Sequence, residues 1–189
     1  MQAHDRGFPI CIYRPSRITW HSQTGCTNLD KLLNRAIKGI ITLGKAPHKE
    51  FKDNMVPVDY VSRAIIHLSR RTELLGKTFH LTNYQLTRWN EVLAWFGNLG
   101  YPLEWISYTQ WWNELRRREE NALFPLMPMF HQDSSGDSPV RMPQFDCRNT
   151  TEGLADTNIV CPTIDAELFN SYFSYLTRSG FLEEPPPCC

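Results

Sequence analysis

Hydrophobic residues recur at helical spacing in several parts of this chain, most clearly in the segment that follows Asp59. There, four apolar residues at positions i, i+3, i+4 and i+7 form one stripe, which predicts a helix with a buried face. Asp59 precedes the stripe, where an N-cap is expected, and Arg70 and Arg71 stand in the last turn, where positive charge suits the helix dipole. The residues of the stripe are Val61, Ala64, Ile65 and Leu68.

Other segments show the same helical spacing or helical composition. The first of them follows the candidate caps Thr27 and Asn28 and is expected to close near Gly39 or Gly44, because glycine commonly ends helices. Pro125 makes residues 123–130 an irregular apolar segment or a kinked helix. The remaining helical segments cover residues 29–40, 87–100, 109–121 and 165–178.

Short apolar or alternating runs between these helices predict strands. The run 8–13 is uncharged and apolar, as expected of a buried parallel strand. Residues 45–54 are mostly polar and residues 131–143 are rich in Asp, Ser and Gly, so both predict surface loops. The other predicted strands are 55–58, 78–82 and 103–108, and the alternation of strands with helices predicts an α/β fold.

The composition excludes several classes of protein. Hydrophobic residues make up 41% of the 189 residues and charged residues 21%, which favours a globular chain over a disordered one. The formal net charge of zero offers no field for nucleic acid or an anionic membrane. The six cysteines form no C-x-x-C pair, so no metal is expected. Without an apolar run of about 18 residues or a leader, we expect a cytoplasmic protein.

Motifs for catalysis by this chain alone are not convincing. Gly97 and Gly100 end a predicted helix, whereas a glycine loop that binds pyrophosphate lies between a strand and a helix N-terminus. The six histidines fall in separate elements without a paired spacing. We therefore predict no catalytic residue.

Several stretches nevertheless resemble, in the same order, the thioester-reductase branch of the extended short-chain dehydrogenase/reductase superfamily. The resemblance extends from Arg6 to Leu182, and its late part is most similar to the termination domains of bacterial, especially cyanobacterial, nonribosomal peptide synthetases. It is to the C-terminal, substrate-binding part of the fold. The stretches are Ile12–Ile18, Ser22–Gly25, Val56–Ile65, Gly76–Asn83, Gly100–Leu103, Pro143–Cys147 and Tyr172–Leu182.

The resemblance implies a reaction that this chain is not expected to perform alone. Such enzymes transfer hydride from NADPH to the thioester carbonyl of an acyl or peptidyl chain on the phosphopantetheine arm of a carrier protein, and they release an aldehyde or an alcohol. A Tyr-x-x-x-Lys pair supplies the proton in that family, and the sequence contains no such pair. The pair and the glycine loop are expected in an upstream nucleotide-binding half, and a carrier protein is the expected partner.

The resemblance also implies a division of the chain and a small set of site residues. Residues 1–27 correspond to the last part of the Rossmann core, residues 28–183 to a mostly helical substrate-binding subdomain, and residues 184–189 to a frayed tail. Trp20 stands where a small residue is expected, and segment 123–130 matches a mobile substrate-side region. Pro15, Ser16 and Ile18 are the expected contacts to the nicotinamide end of NADPH; the expected substrate-binding residues are His21, Ser22, Gln23 and Thr24.

Three functions remain open at this point. The chain is part of a thioester reductase, a non-catalytic module that docks a carrier protein, or a fragment of another extended reductase or epimerase. In each case the parallel neighbours of the strand at 8–13 would belong to the nucleotide-binding half. We therefore expect that strand to lie at an exposed sheet edge.

Overall fold

The computed structural model describes residues 6–48, 51–129 and 143–185. Most of the predicted loop 131–143, the residues before Arg6 and the end of the predicted tail lie outside them. The chain forms two compact units. The first unit comprises residues 1–27, 53–86 and 142–172, and the second unit comprises residues 28–52, 87–141 and 173–189. The functional division expected after residue 27 stays a prediction, because these units group the later segments differently.

The described residues contain six α-helices and eight short strands, which confirms the predicted α/β class. The helices are α1 (Leu32–Leu43), α2 (Val58–Ser69), α3 (Trp89–Asn98), α4 (Tyr108–Arg116), α5 (Arg148–Leu154) and α6 (Ala166–Arg178). The strands are β1 (Ile12–Pro15), β2 (Arg17–Ile18), β3 (Lys45–His48), β4 (Lys52–Asp53), β5 (Met55–Val56), β6 (Thr78–Leu81), β7 (Thr87–Arg88) and β8 (Glu104–Ser107). Short 3-10 helices cover Thr72–Leu74 and Phe124–Met129.

The first unit is built around two parallel strand pairs and helix α2. Strand β1 pairs with β6, and β2 pairs with β5. The apolar stripe of α2 packs on these strands as predicted, because Val61, Ala64 and Leu68 are buried. The core cluster of this unit consists of Val56, Tyr60, Val61, Ala64, Leu68, Leu74, Phe79, Leu81 and Leu154.

Strand β6 has its second edge covered by side chains of α5. The Asn149 Nδ2 donates a hydrogen bond to the Thr78 carbonyl at 2.9 Å, and the Thr150 hydroxyl donates one to the His80 carbonyl at 2.9 Å. These two acceptors are two residues apart on one edge of the strand, so α5 replaces part of a neighbouring strand. Helix α5 was not predicted from the sequence.

Strand β1 keeps one edge open. Within the described residues it pairs with β6 alone, and Ile12 is 37% exposed. This confirms the predicted exposed sheet edge. The strand starts later than predicted, because the Ile10 N–H bonds locally to the Phe8 carbonyl across Pro9, which turns the chain before β1.

The second unit contains the parallel pair β3 and β8 together with α1, α3 and α4. The predicted loop at 45–54 is therefore wrong: the segment contains β3 and β4. Pro47 is compatible with β3, since the strand has one partner in the described chain and a missing N–H can face the unpaired side. Helix α4 begins with a capping box in which the Ser107 hydroxyl accepts from the Gln110 N–H at 3.2 Å.

Helix α1 ends at Gly44, one of the two predicted stops. Gly44 has a φ of 66° and its N–H bonds to the Ile40 carbonyl. Gly39 instead lies inside the helix, where the Asn121 side chain donates to its carbonyl at 2.9 Å. A Cβ at Gly39 would lie 2.5 Å from the Asn121 side-chain oxygen, so this glycine permits close packing. Among the described residues, no helix combines the length and the apolar composition that crossing a bilayer requires.

Candidate functional site

The predicted substrate-binding residues lie in a tight loop that follows β2 in the first unit. The His21 N–H donates to the Cys26 carbonyl and the Gly25 N–H donates to the His21 carbonyl, both at 2.9 Å. Gln23 and Thr24 are exposed at the tip, whereas His21 and Ser22 are half-buried. The structure therefore places all four predicted residues together, and their binding role stays a prediction.

Asp59 holds this loop in place. Its Oδ1 accepts from the Ser22 N–H at 2.8 Å, and its Oδ2 accepts from the Ser22 hydroxyl at 2.8 Å. The predicted N-cap role of Asp59 is wrong, because α2 is preceded by Pro57 and Asp59 already lies in the first turn. The negative charge still suits the helix N-terminus, but the carboxylate binds a loop 37 residues earlier in the chain.

The hydrogen bonds to Ser22 keep Asp59 ionised. Burial alone raises the pKa of the Asp59 carboxyl, but the hydrogen bonds from the Ser22 backbone and hydroxyl, with a smaller electrostatic contribution from His21, lower the pKa below its usual value. A carboxyl whose folded-state pKa is lowered stabilises the fold above its unfolded pKa of about 3.9, and this stabilisation disappears as pH falls through the folded pKa.

Replacing Asp59 by alanine is expected to lower the free energy of unfolding by about 2–3 kcal/mol at pH 7, because two hydrogen bonds to a charged group are lost. The difference from the wild type should shrink below about pH 4 as Asp59 becomes protonated. Urea titrations at pH 7 and pH 3.5 measure both effects. Asp156→Ala, which removes an exposed carboxylate from the same unit, is the control and should change stability by less than about 0.5 kcal/mol. Equal stability of Asp59→Ala and wild type at pH 7 would contradict the assigned role.

Trp20, the departure from the expected pattern, lies in the core beneath the loop. Its side chain is 1% exposed. The indole stacks on the Tyr172 ring with centroids 4.1 Å apart and meets the Phe169 ring edge-on at 6.0 Å. These contacts anchor the start of the loop to α6. The large side chain therefore supports the loop from below and is turned away from solvent.

Gly25 allows the loop to approach the same helix. Its φ is +70°, and a Cβ built there would lie 2.1 Å from the Ser171 carbonyl oxygen. Only glycine fits this position without a shift of the backbone. The loop 21–25 is thus fixed on one side by Asp59 and on the other by α6.

The predicted cofactor contacts lie at the ends of β1 and β2. Pro15 is the last residue of β1, and the Ser16 N–H donates to the Leu81 carbonyl at 3.0 Å. Ile18 pairs with Val56 and packs its side chain on the core cluster. Any contact of Ile18 to a ligand would therefore use its backbone, and the cofactor role of all three residues stays a prediction.

A buried amide network beside β5 was missed in the sequence. The Asn54 side chain donates to the Asn83 carbonyl at 2.8 Å, and the Asn83 N–H donates to the Asn54 Oδ1 at 2.8 Å. The Asn83 side chain also donates to the Pro162 carbonyl at 3.0 Å. Nearby, Arg17 and Asp53 form an ion pair. Asparagines usually indicate turns, so no local signal distinguished these two.

Titratable side chains near Asp59 are held in their neutral forms. Burial, with a smaller contribution from the Asp59 carboxylate, raises the pKa of the Cys161 thiol to about 12. Burial also raises the pKa of Tyr60. A protonated thiol is a poor nucleophile, so Cys161 is a core residue. Within the described ranges, no group of three His, Cys, Asp or Glu side chains is arranged to hold a metal ion.

The described residues offer no cradle for the pyrophosphate of a dinucleotide. Such a cradle needs a glycine turn that leads directly from a strand into a helix N-terminus. Gly25 lies between β2 and α1, but α1 begins seven residues later at Leu32 and Gly25 faces α6 instead. Gly44 and Gly180 follow the ends of helices. These residues therefore fit at most the nicotinamide end of such a cofactor.

Comparisons with known proteins point to one group of enzymes. The sequence model of the family described as Male sterility protein matches residues 1–65. A linear gramicidin synthase protein of Brevibacillus parabrevis is 34% identical over 186 residues, which is 95% of this chain and 4% of that protein. L-2-aminoadipate reductase of Saccharomyces cerevisiae is 34% identical over 202 residues, which is 98% of this chain and 14% of that protein.

Solved structures give the same result. The terminal R domain from the myxalamid PKS-NRPS biosynthetic pathway superposes with a TM-score of 0.88 and 39% identity, over 98% of this chain and 48% of that chain. A thiolation-reductase di-domain from an archaeal nonribosomal peptide synthetase shares the fold, with a TM-score of 0.75 and 21% identity over 95% of this chain and 38% of that chain. The chain thus spans about half of the solved reductase domain and a small part of its curated relatives.

Proposed function

We propose, on the premise that this chain belongs to the reductase-domain family of nonribosomal peptide synthetases in the extended short-chain dehydrogenase/reductase superfamily, that it is the substrate-binding part of a thioester reductase. The complete enzyme would reduce a carrier-bound acyl or peptidyl thioester to an aldehyde, or further to an alcohol. The similarity of 98% of the chain to a terminal R domain, at 39% identity, carries this proposal.

The geometry of the loop 21–25 supports the substrate-binding role. Asp59 and α6 fix its backbone, so the exposed Gln23 and Thr24 side chains are presented from a rigid support. A site held by packed elements positions a substrate more accurately than a free loop does. His21, Ser22, Gln23 and Thr24 are proposed to face the thioester end of the acyl chain.

The cofactor in this proposal is NADPH, which would supply the hydride. Pro15, Ser16 and Ile18 stand at the ends of β1 and β2, where their backbone groups could meet the nicotinamide end. The pyrophosphate would be held by a nucleotide-binding part, since the described residues contain no suitable glycine turn. The open edge of β1 supports this arrangement, because a parallel sheet is normally continued on both sides of such a strand.

A chimeric enzyme tests the proposal. The nucleotide-binding part of the myxalamid reductase domain would be joined to this chain in place of its own C-terminal part, and the chimera incubated with NADPH and an acyl-loaded carrier domain. We expect NADPH-dependent release of aldehyde or alcohol, measured by chromatography and by loss of NADPH absorbance. Gln23→Ala and Thr24→Ala should raise KM more than they lower kcat, because both side chains are exposed and are proposed to contact only substrate.

The tyrosine of the Tyr-x-x-x-Lys pair in the chimera provides the control. Its replacement by phenylalanine should lower the rate about 10²–10⁴-fold, as expected for loss of a general acid. A folded chimera that binds NADPH and the carrier but releases no reduced product would contradict the reductase proposal and favour a module that only docks a carrier protein.

A further inference from the structure

An apolar groove with an arginine rim lies on the exposed face of α2, in the first unit. Its volume is about 390 Å³. One wall is the side of α2 that faces away from the core, and the other is formed by Ile159, after α5. The groove is lined by Arg63, Ile66, His67, Arg70, Arg71 and Ile159.

The centre of this groove exposes apolar side chains. Ile66 is 58% exposed, and Val160, the neighbour of Ile159 in the chain, is 69% exposed. Exposed apolar surface with a polar rim that includes arginine is the usual anatomy of a protein-protein interface. The His67 Nε2 is buried without a hydrogen-bond partner among the described residues, although buried polar atoms are normally satisfied. A bound partner would complete this contact.

The rim of the groove carries an excess of positive charge. The Arg63 Nη2 lies 3.2 Å from the Asp59 Oδ2, and the Arg71 Nε lies 2.6 Å from the Glu73 Oε1. Arg70 is exposed and makes no ion pair with any residue in the described ranges. The groove therefore presents one uncompensated guanidinium beside an apolar centre. This charge is complementary to an acidic partner.

We infer that this groove docks the acidic face of the carrier protein, with a carboxylate on Arg70 and an apolar side chain over Ile66. The inference rests on the proposed function. It connects the groove to the candidate site, since Arg63 contacts Asp59 and Asp59 holds Ser22. From Arg70 back to Asp59 the helix rises about 16 Å, eleven residues at 1.5 Å each. The carrier's prosthetic arm would follow α2 toward the loop 21–25.

Binding of a loaded carrier domain to the full chain and its variants tests the inference. Arg70→Glu should weaken binding about tenfold, and the wild-type affinity should fall as salt rises, because the contact is electrostatic. Ile66→Asp should weaken binding to a similar extent. The matched control is Arg117→Glu, since Arg117 is the exposed C-cap of α4 with φ −89° and ψ 0°, against φ −87° and ψ −5° for Arg70 at the end of α2. Arg117→Glu should bind like the wild type.

The outcomes separate this inference from the proposed function. Carrier binding that is unchanged in Arg70→Glu, or equally weakened in Arg117→Glu, would overturn the docking site while leaving the reductase proposal intact. Self-association of the chain that Arg70→Glu abolishes would identify the groove as a contact between two copies and overturn the inference as well. A wild-type chain that binds no carrier would end the inference, whereas the reductase proposal is judged by product release from the chimera.

Discussion

Gly25→Ala is expected to destabilise the first unit by at least about 3 kcal/mol, since the new methyl group must displace a main-chain atom in a packed region. The added Cβ would lie 2.1 Å from the Ser171 carbonyl oxygen and 2.7 Å from the Tyr172 Cα. Neither atom belongs to a flexible side chain, so α6 or the loop must move. Because the loop carries His21 to Thr24, the same variant should lose substrate binding in the chimeric enzyme. Urea unfolding measures the first effect, and the KM of the chimera measures the second.

Gly180→Ala separates the steric clash from the backbone strain. Gly180 has a φ of +69°, nearly the same as the +70° of Gly25, but a Cβ there meets no atom within 4 Å. The control variant therefore incurs only the left-handed backbone penalty of about 1–2 kcal/mol. If the two variants lose the same free energy of unfolding, the close approach of Gly25 to α6 does not hold in solution.

The chain by itself is expected to reduce no acyl thioester above the background rate and to bind NADPH weakly. The 189 residues contain no Tyr-x-x-x-Lys pair, and a positioned proton donor typically contributes about 10²–10⁴-fold in rate. The described glycines do not form a pyrophosphate cradle either, so the nicotinamide end alone would have to supply the binding energy. Calorimetry with NADPH and an assay for released aldehyde measure the two expectations.

The chimera is the matched control for this experiment, because it contains the same residues joined to a nucleotide-binding part. The chimera should bind NADPH and release product under conditions where the chain alone does neither. Micromolar NADPH binding together with aldehyde release by the chain alone would show that its own residues supply a cofactor site and a proton donor that the structure does not reveal.

The sequence predicted the elements that are held together by regular apolar spacing. Helix α2 was found where the stripe of Val61, Ala64 and Leu68 placed it, and α6 covers nearly the predicted residues 165–178. The strand that became β6 was also found in place. In these segments the local pattern and the tertiary contacts favour the same structure, so the period alone was sufficient.

Elements that depend on tertiary contacts were missed. Helix α5 has only seven residues, and its Asn149 and Thr150 side chains bind the edge of β6, a distant contact that no local pattern announces. Strand β3 was predicted as loop because Pro47 and His48 are common in loops, yet Ala46 and Pro47 are buried. Pairing with β8, far along the chain, determines this structure.

The candidate site was predicted as a stretch of residues but without its support. His21 to Thr24 were placed by resemblance, and the structure brings them into one loop. The role of Asp59 was misread because its position before the apolar stripe is equally suited to capping its own helix. Only the fold brings Ser22 within 2.8 Å of its carboxylate.

The order in which the two units alternate along the chain has a consequence for recombination. The chain passes from one unit to the other after residues 27, 52, 86, 141 and 172, so neither unit corresponds to one continuous piece of coding sequence. A crossover anywhere between these points would join part of each unit to a foreign partner and disrupt both cores. Exchange of this module between synthetases is therefore expected to succeed when residues 1–189 are transferred as one block.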